Sequence, residues 1–261
     1  MSLGQNQKSE QMEANNSIFM PYKLEICVGS ISSALVAQEF GADRIELCDN
    51  LSEGGTTPSY GMILYCKTQL EIPFFPIIRP RGGDFVFTKD EFQIMREDVL
   101  CCREMGCKGI VIGMLRKDST IDMDRCADLI SLAGEMEITF HRAFDRCVSM
   151  ERALEDLIEL GCHRVLTSGG KEFALEGSEN LRSLVRQAGF RINVMPGSGI
   201  THRNLQKIAA DTVAYEFHTT AKKLVESSID PVNTQPYRTI QTDGNHVQKL
   251  KDILKQIGCV Y

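Results

Sequence analysis

Cys27 and Cys48 each stand two residues after a glutamate, in Glu25-Ile26-Cys27 and Glu46-Leu47-Cys48. Alternate residues of an extended strand share a face, so each segment sets a carboxylate and a thiol side by side. Adjacent strands lie about 4.8 Å apart, so thiols at the ends of two neighbouring strands approach one another. Paired soft sulfur donors suit Cu(I). Nearby arginines would favour the thiolate form that binds it. The competing reading is two small buried core cysteines.

A second group of residues points to different chemistry. Arg79-Pro80-Arg81-Gly82-Gly83-Asp84 follows an apolar run. Two guanidinium forks there suit a carboxylate or phosphate, and the Gly pair lets backbone approach a ligand closely. A tight turn carrying two surface ion pairs is the alternative. In Phe140-His141-Arg142-Ala143-Phe144-Asp145 the aspartate is near enough in sequence to orient His141 as a base, or else His141 is a satisfied structural histidine. The run Met195-Pro196-Gly197-Ser198-Gly199-Ile200-Thr201 has the make-up of a phosphate-holding loop, with Thr219, Thr220 and Lys222 able to complete it. Together these residues describe the alternative to a copper-binding protein, a barrel enzyme acting on a small anionic or phosphorylated substrate. Arg79 and Arg81 clamp the anion, Gly197, Ser198 and Gly199 hold phosphate, and Glu46, Arg79 and His141 carry the chemistry. No lysine sits at a strand end, and neither a zinc-protease motif nor a nucleophile elbow is present.

The elements that must position these residues alternate. Strands are predicted at Leu24–Val28, Arg44–Cys48, Phe74–Arg79, Gly109–Gly113, Ile138–Arg142, Arg164–Thr167, Ile192–Met195 and Ala214–His218, each followed by a helical pattern. Three joints, at Gly41, Gly106 and Gly161, end a helix in glycine and lead within two or three residues into a strand. Eight strand–helix units predict a single-domain α/β fold, a (β/α)8 TIM-type barrel over residues 22–261. Residues 1–21 read as a disordered tail, and residues 222–243 as an irregular excursion able to cover the site. In such a barrel the site lies at the C-terminal ends of the strands. Glu25, Glu46, Glu216, Arg79, His141 and His218 then make an unusually charged lumen, in which Arg79 and Arg81 are expected to pair with Glu25, Glu46 or Glu216.

The 261 residues are 43% apolar and 25% charged with a net charge of -6, an ordinary globular composition. No basic stripe suggests nucleic acid, and no apolar run approaches the roughly 20 residues needed to cross a membrane. None of the ten cysteines forms C-x-x-C, and the N-terminal segment lacks an apolar secretory core. Reduced thiols in the cytoplasm are therefore expected. A homo-oligomer is expected from the habit of barrel helices to pack against copies.

The segments at Glu25–Val28, Asp43–Cys48, Leu51–Ser59, Ile78–Phe85, Thr139–Asp145, Arg164–Gly169 and Met195–Ile200 occur in order and resemble the CutC copper homeostasis family. The resemblance runs from about Lys23 to His218. It implies a TIM-type barrel, a cytoplasmic setting and a part in copper handling, with the metal-binding cysteines of that family falling on Cys27 and Cys48. Ser198 stands where glycine is common in the family, which alters how closely a ligand approaches that loop.

Overall fold

The computed structural model describes residues 21–226 and 238–258. Residues 1–20 of the expected tail, residues 227–237 of the expected excursion and Cys259 lie outside the described residues. The chain alternates as β1 (Lys23–Val28), α1 (Ile31–Glu39), β2 (Arg44–Leu47), α2 (Tyr60–Gln69), β3 (Phe74–Pro76), α3 (Lys89–Glu104), β4 (Gly109–Ile112), α4 (Met123–Ala133), β5 (Glu137–Phe140), α5 (Met150–Glu159), β6 (Arg164–Thr167), α6 (Ser178–Ala188), β7 (Asn193–Pro196), α7 (Leu205–Thr212) and β8 (Glu216–Thr219). It continues with β9 (Lys222–Glu226), β10 (Arg238–Thr242) and α8 (Gly244–Gly258).

The first eight strands are parallel where they pair, in the orders β3-β2-β1-β8 and β4-β5-β6-β7. A parallel bridge between Ile77 and Val111 joins β3 to β4, with the Ile78 amide donating to the Val111 carbonyl at 2.8 Å. Strands β7 and β8 lie side by side without a hydrogen-bonded ladder among the described pairs. This is the TIM-type arrangement expected from the alternation. Helix-facing strand residues such as Leu24, Ile26, Ile45 and Leu47 are fully buried under the helices in the main core, while the odd-numbered residues of β1 and the even-numbered residues of β2 turn to the lumen.

Helix starts follow ordinary capping chemistry. Thr88 and Glu91 form a complete capping box at the start of α3, the Thr88 hydroxyl accepting from the Glu91 amide and the Glu91 carboxylate accepting from the Thr88 amide at 2.7 Å. Ser30, Ser59 and Ser149 cap α1, α2 and α5.

The strands are shorter than expected at several C-terminal ends: β3 stops at Pro76 rather than Arg79, and β5 at Phe140 rather than Arg142. The ladder is lost where the chain bends outward into the loops that hold the site. The excursion expected to be irregular holds an ordered antiparallel pair, β9 with β10, paired from Lys222–Thr242 to Glu226–Arg238. Its Thr242 amide donates to the buried Ser33 hydroxyl of α1 at 3.1 Å, which ties the ribbon to the barrel wall.

Candidate functional site

Deep in the lumen, on the N-terminal side, lies a closed ionic layer. Arg44 of β2 ion-pairs with Glu25 and donates to Glu216 at 2.6 Å. Arg164 of β6 donates to Glu216 at 3.1 Å and to Glu137 at 2.7 Å. The Asn193 side-chain amide supplies a further donor to Glu216 at 3.0 Å. Both guanidinium groups lie 5.3 Å from the Phe75 ring centre, so the ring is flanked by two cations. A Cβ at Gly109 would fall 2.5 Å from that ring, which is why β4 carries glycine there. Burial works against ionised Glu25, yet Arg44 and His218 outweigh it and hold its carboxyl well below the usual range. Burial likewise opposes the Arg44 charge, and Glu25 with Glu216 more than restore it.

These partners differ from the expected ones. Arg79 and Arg81 do not pair with Glu25, Glu46 or Glu216; Arg44 and Arg164, from the starts of their strands, do. The reason is depth. Glu25 and Glu216 sit low in the lumen, whereas Arg79 sits beyond the end of β3.

One layer higher, the Cys27 and Cys48 sulfurs are 3.6 Å apart and both residues are buried. The β1–β2 register sets Cys27 opposite Glu46. One ligand atom from each of Cys27, Glu46 and Cys48 falls within 4.8 Å of the others. His218 of β8 completes the layer, its Nδ1 2.8 Å from Glu25 and its Nε2 3.6 Å from Glu46.

Burial disfavours a charged His218, but its contacts with Cys27, Glu25 and Glu46 prevail and raise its pKa well above the ordinary histidine value. It is therefore an imidazolium between carboxylates. Hydrogen bonding to Cys48, then burial, pushes the Cys27 thiol far up. Cys48 is relieved by its bond from Cys27, but burial and the Glu46 charge still push it up to about 11. Burial also raises Glu46, against the pull of His218. The pair is thus protonated at neutral pH, contrary to the expectation that arginines would favour thiolate.

The upper layer opens into a cavity of about 540 Å³, within the range of small-molecule sites. Cys27, Glu46, Arg79, His141, Ser198 and Gly199 all contribute to its wall. Arg79 is only 3% exposed. Its Nη1 donates at 2.8 Å to the carbonyls of Glu53 and Gly55, and its Nη2 at 2.8 Å to that of Gly83. It so latches the β2–α2 loop to its own loop.

Arg81 does not join it. Gly83, with φ near +81°, turns the chain back, and Arg81 donates to Glu91 at 2.6 Å and Asp84 at 3.0 Å, outside the cavity wall. A two-arginine clamp is therefore not assembled. Asp145 does not orient His141 either: it accepts from Arg142, the Thr167 and Ser168 hydroxyls, and the Ser168 and Gly170 amides. The His141 Nδ1 instead accepts from the Ala143 amide at 3.1 Å, capping the turn Arg142–Arg146. Burial, reinforced by the Arg79 charge, takes the His141 pKa down to about 3.

In the loop after β7, the Gly197 amide is occupied by the Thr167 carbonyl and the Thr201 amide by the Asn204 side chain. Two amides of the expected phosphate cradle are thus already bonded, and Gly197 itself lies outside the cavity wall. Ser198 adopts φ near +80°, a left-handed conformation, and its hydroxyl donates to the Glu172 carbonyl at 2.7 Å, which holds the loop in place. Ribbon residues Lys222 and Ile240 border the mouth, as do Thr219 and Thr220.

Arg44, Arg164 and Phe75 are the site-supporting residues that the strand-end reading missed. A signal was present, since Arg44 shares strand parity with Glu46 and Arg164 with Leu166 and Ser168.

Residues 22–223 match the family model described as the CutC family. A relative from Xylella fastidiosa (strain Temecula1), named as a family protein CutC, is 50% identical over 239 residues, covering 89% of each chain. The copper homeostasis protein cutC homolog of Homo sapiens is 43% identical over 246 residues, covering 90% of each. The crystal structure of CutC from Streptococcus agalactiae matches with a TM-score of 0.74 at 33% identity, covering 76% of this chain and 98% of that one.

Proposed function

The chain belongs to the CutC family, and on that premise we propose that it serves copper homeostasis by holding Cu(I) between the Cys27 and Cys48 thiolates at the mouth of the barrel. The observation that carries this reading is the 3.6 Å sulfur–sulfur separation at the ends of two adjacent strands. Metal–sulfur bonds are about 2.3 Å long, so two of them reach comfortably across that gap. The donor set is soft, as Cu(I) prefers, and buried, which keeps competing water and hard ligands away.

Both thiols start protonated, so binding expels protons. Glu46, with a carboxylate oxygen within 4.8 Å of both sulfurs, is placed to pass a displaced thiol proton on to solvent as the metal arrives. The His218 imidazolium then balances the charge of two thiolates around one monovalent ion. Glu25, fixed by Arg44 below, holds that imidazolium in position. A cytoplasmic setting, where glutathione keeps thiols reduced, belongs to the same proposal.

An anaerobic Cu(I) titration against a competing chelator tests it. The wild-type protein is expected to take one tight equivalent, and the double variant Cys27→Ser/Cys48→Ser to take none. A double variant that competes as well as the wild type overturns the assignment.

A further inference from the structure

Two residues of the cavity wall each carry a buried donor with nothing to bond. Arg79 Nε and His141 Nε2 are enclosed yet lack a hydrogen-bond partner among the described residues, and both residues line the cavity. The residues are 3% and 5% exposed, so bulk water does not satisfy them. Both are donors. The guanidinium Nε always carries hydrogen, and the neutral His141 ring, whose Nδ1 accepts from Ala143, must carry its proton on Nε2. They share one neighbour: the Arg79 guanidinium carbon and the His141 ring centre each lie 5.0 Å from the centre of the Phe85 ring. The glycine at 113 makes this possible, because a Cβ there would fall 2.2 Å from the imidazole.

The charge around them is also unbalanced. Arg79 forms no ion pair among the described residues; its three bonded partners are carbonyls. Glu53 and Asp84 act on it through space without an ion-pair contact, and a buried cation left so is costly. An oxyanion at this point supplies both the missing acceptor and the missing charge. The cavity exceeds what a bare inorganic ion needs, and Phe85, Leu166, Phe173 and Ile200 give its wall an apolar part.

We propose that the barrel mouth contains a second site, in which Arg79 Nε–H and His141 Nε2–H donate to the oxyanion of a small organic acid whose apolar body lies against Phe85, Leu166 and Phe173. The oxyanion is a carboxylate or a phosphate monoester, which offer these donors the same acceptor chemistry. The site does not rest on the copper reading, since none of its groups is a thiol.

The test uses the full-length, metal-free, reduced protein in isothermal titration with phenylacetate, phenyl phosphate and neutral benzyl alcohol. One anion or both are expected to bind one per chain, at least about tenfold more tightly than benzyl alcohol. The tighter of the two identifies the source as carboxylate or phosphate. Arg79→Lys and His141→Phe should each weaken the anion at least about tenfold. Cys27→Ser/Cys48→Ser should leave it unchanged, so loss of copper binding and loss of anion binding are read apart. Because Arg79 also latches two loops, the unaltered protein supplies a second readout: the His141 Nε2–H resonance, in 15N-labelled protein, should move as the anion saturates. The proposal is overturned if neither anion binds, if benzyl alcohol binds as tightly, or if binding leaves that resonance in place.

Discussion

Arg44 and Arg164, low in the lumen, and Arg79, at its mouth, are all almost completely buried, yet they are partnered in opposite ways. The lower pair shares Glu216, reaches Glu25 and Glu137, and encloses Phe75, leaving none of these charges without a partner. Arg79 is held by carbonyls alone and retains an unmet donor beside the unmet donor of His141. Between the two layers lie the paired sulfurs and the His218 imidazolium. A charge layer with every partner in place is a scaffold, because nothing in it gains by meeting a ligand. A layer with spare donors and exchangeable protons gains free energy when one arrives.

Breaking the lower layer should cost the most. Glu216→Ala leaves two buried guanidinium groups short of a partner and should destabilise the fold by about 3–5 kcal/mol in urea unfolding. An unchanged midpoint would show that the lower layer is no scaffold.

The protons of the middle layer give the next largest effect. Burial and neighbouring groups raise both thiols, Cys48 to about 11, so Cu(I) displaces two protons at neutral pH. Affinity should therefore rise with pH, by about two decades per pH unit between pH 6 and 9, or about 2.7 kcal/mol. Chelator competition across that range measures the slope, and a flat profile would place the metal elsewhere.

The upper layer carries an acid signature. Native His141 stays neutral down to about pH 3, whereas the same ring in the unfolded chain takes up a proton near 6.5. The unfolded state thus binds more protons in this window. The contribution of His141 to stability is complete above pH 6.5 and is lost as pH falls toward 3, at about 1.4 kcal/mol per pH unit. His141→Phe should remove that component from the pH dependence of unfolding.

The smallest effect separates the two neighbouring arginines. Arg81, with its side chain 37% exposed, pairs with Glu91 and Asp84 at the surface. Arg81→Ala should cost less than about 1 kcal/mol and leave anion titrations unaltered.

Period-two alternation was enough to bring Glu25, Cys27, Glu46, Cys48, Glu216 and His218 to one lumen. Alternation assigns a residue to a face but not to a depth, and depth selects partners: Arg79 shares a cavity with Glu46 but ion-pairs with none of the three lumen glutamates. The C-terminal ends of the strands do not reveal Arg44 and Arg164, because both occupy first positions. Asp145 was expected to serve His141 from its sequence distance alone. The short turn Arg142–Arg146 carries it toward the β6 loop instead. The β9–β10 ribbon has mostly exposed residues on both faces, so it shows no apolar alternation to read.

The paired sulfurs are tested most directly by X-ray absorption at the copper K-edge on protein loaded anaerobically with one equivalent of Cu(I). The account requires two sulfur scatterers per copper, reduced to none in Cys27→Ser/Cys48→Ser. A first shell of nitrogen and oxygen alone, or a spectrum indifferent to the double substitution, would contradict it.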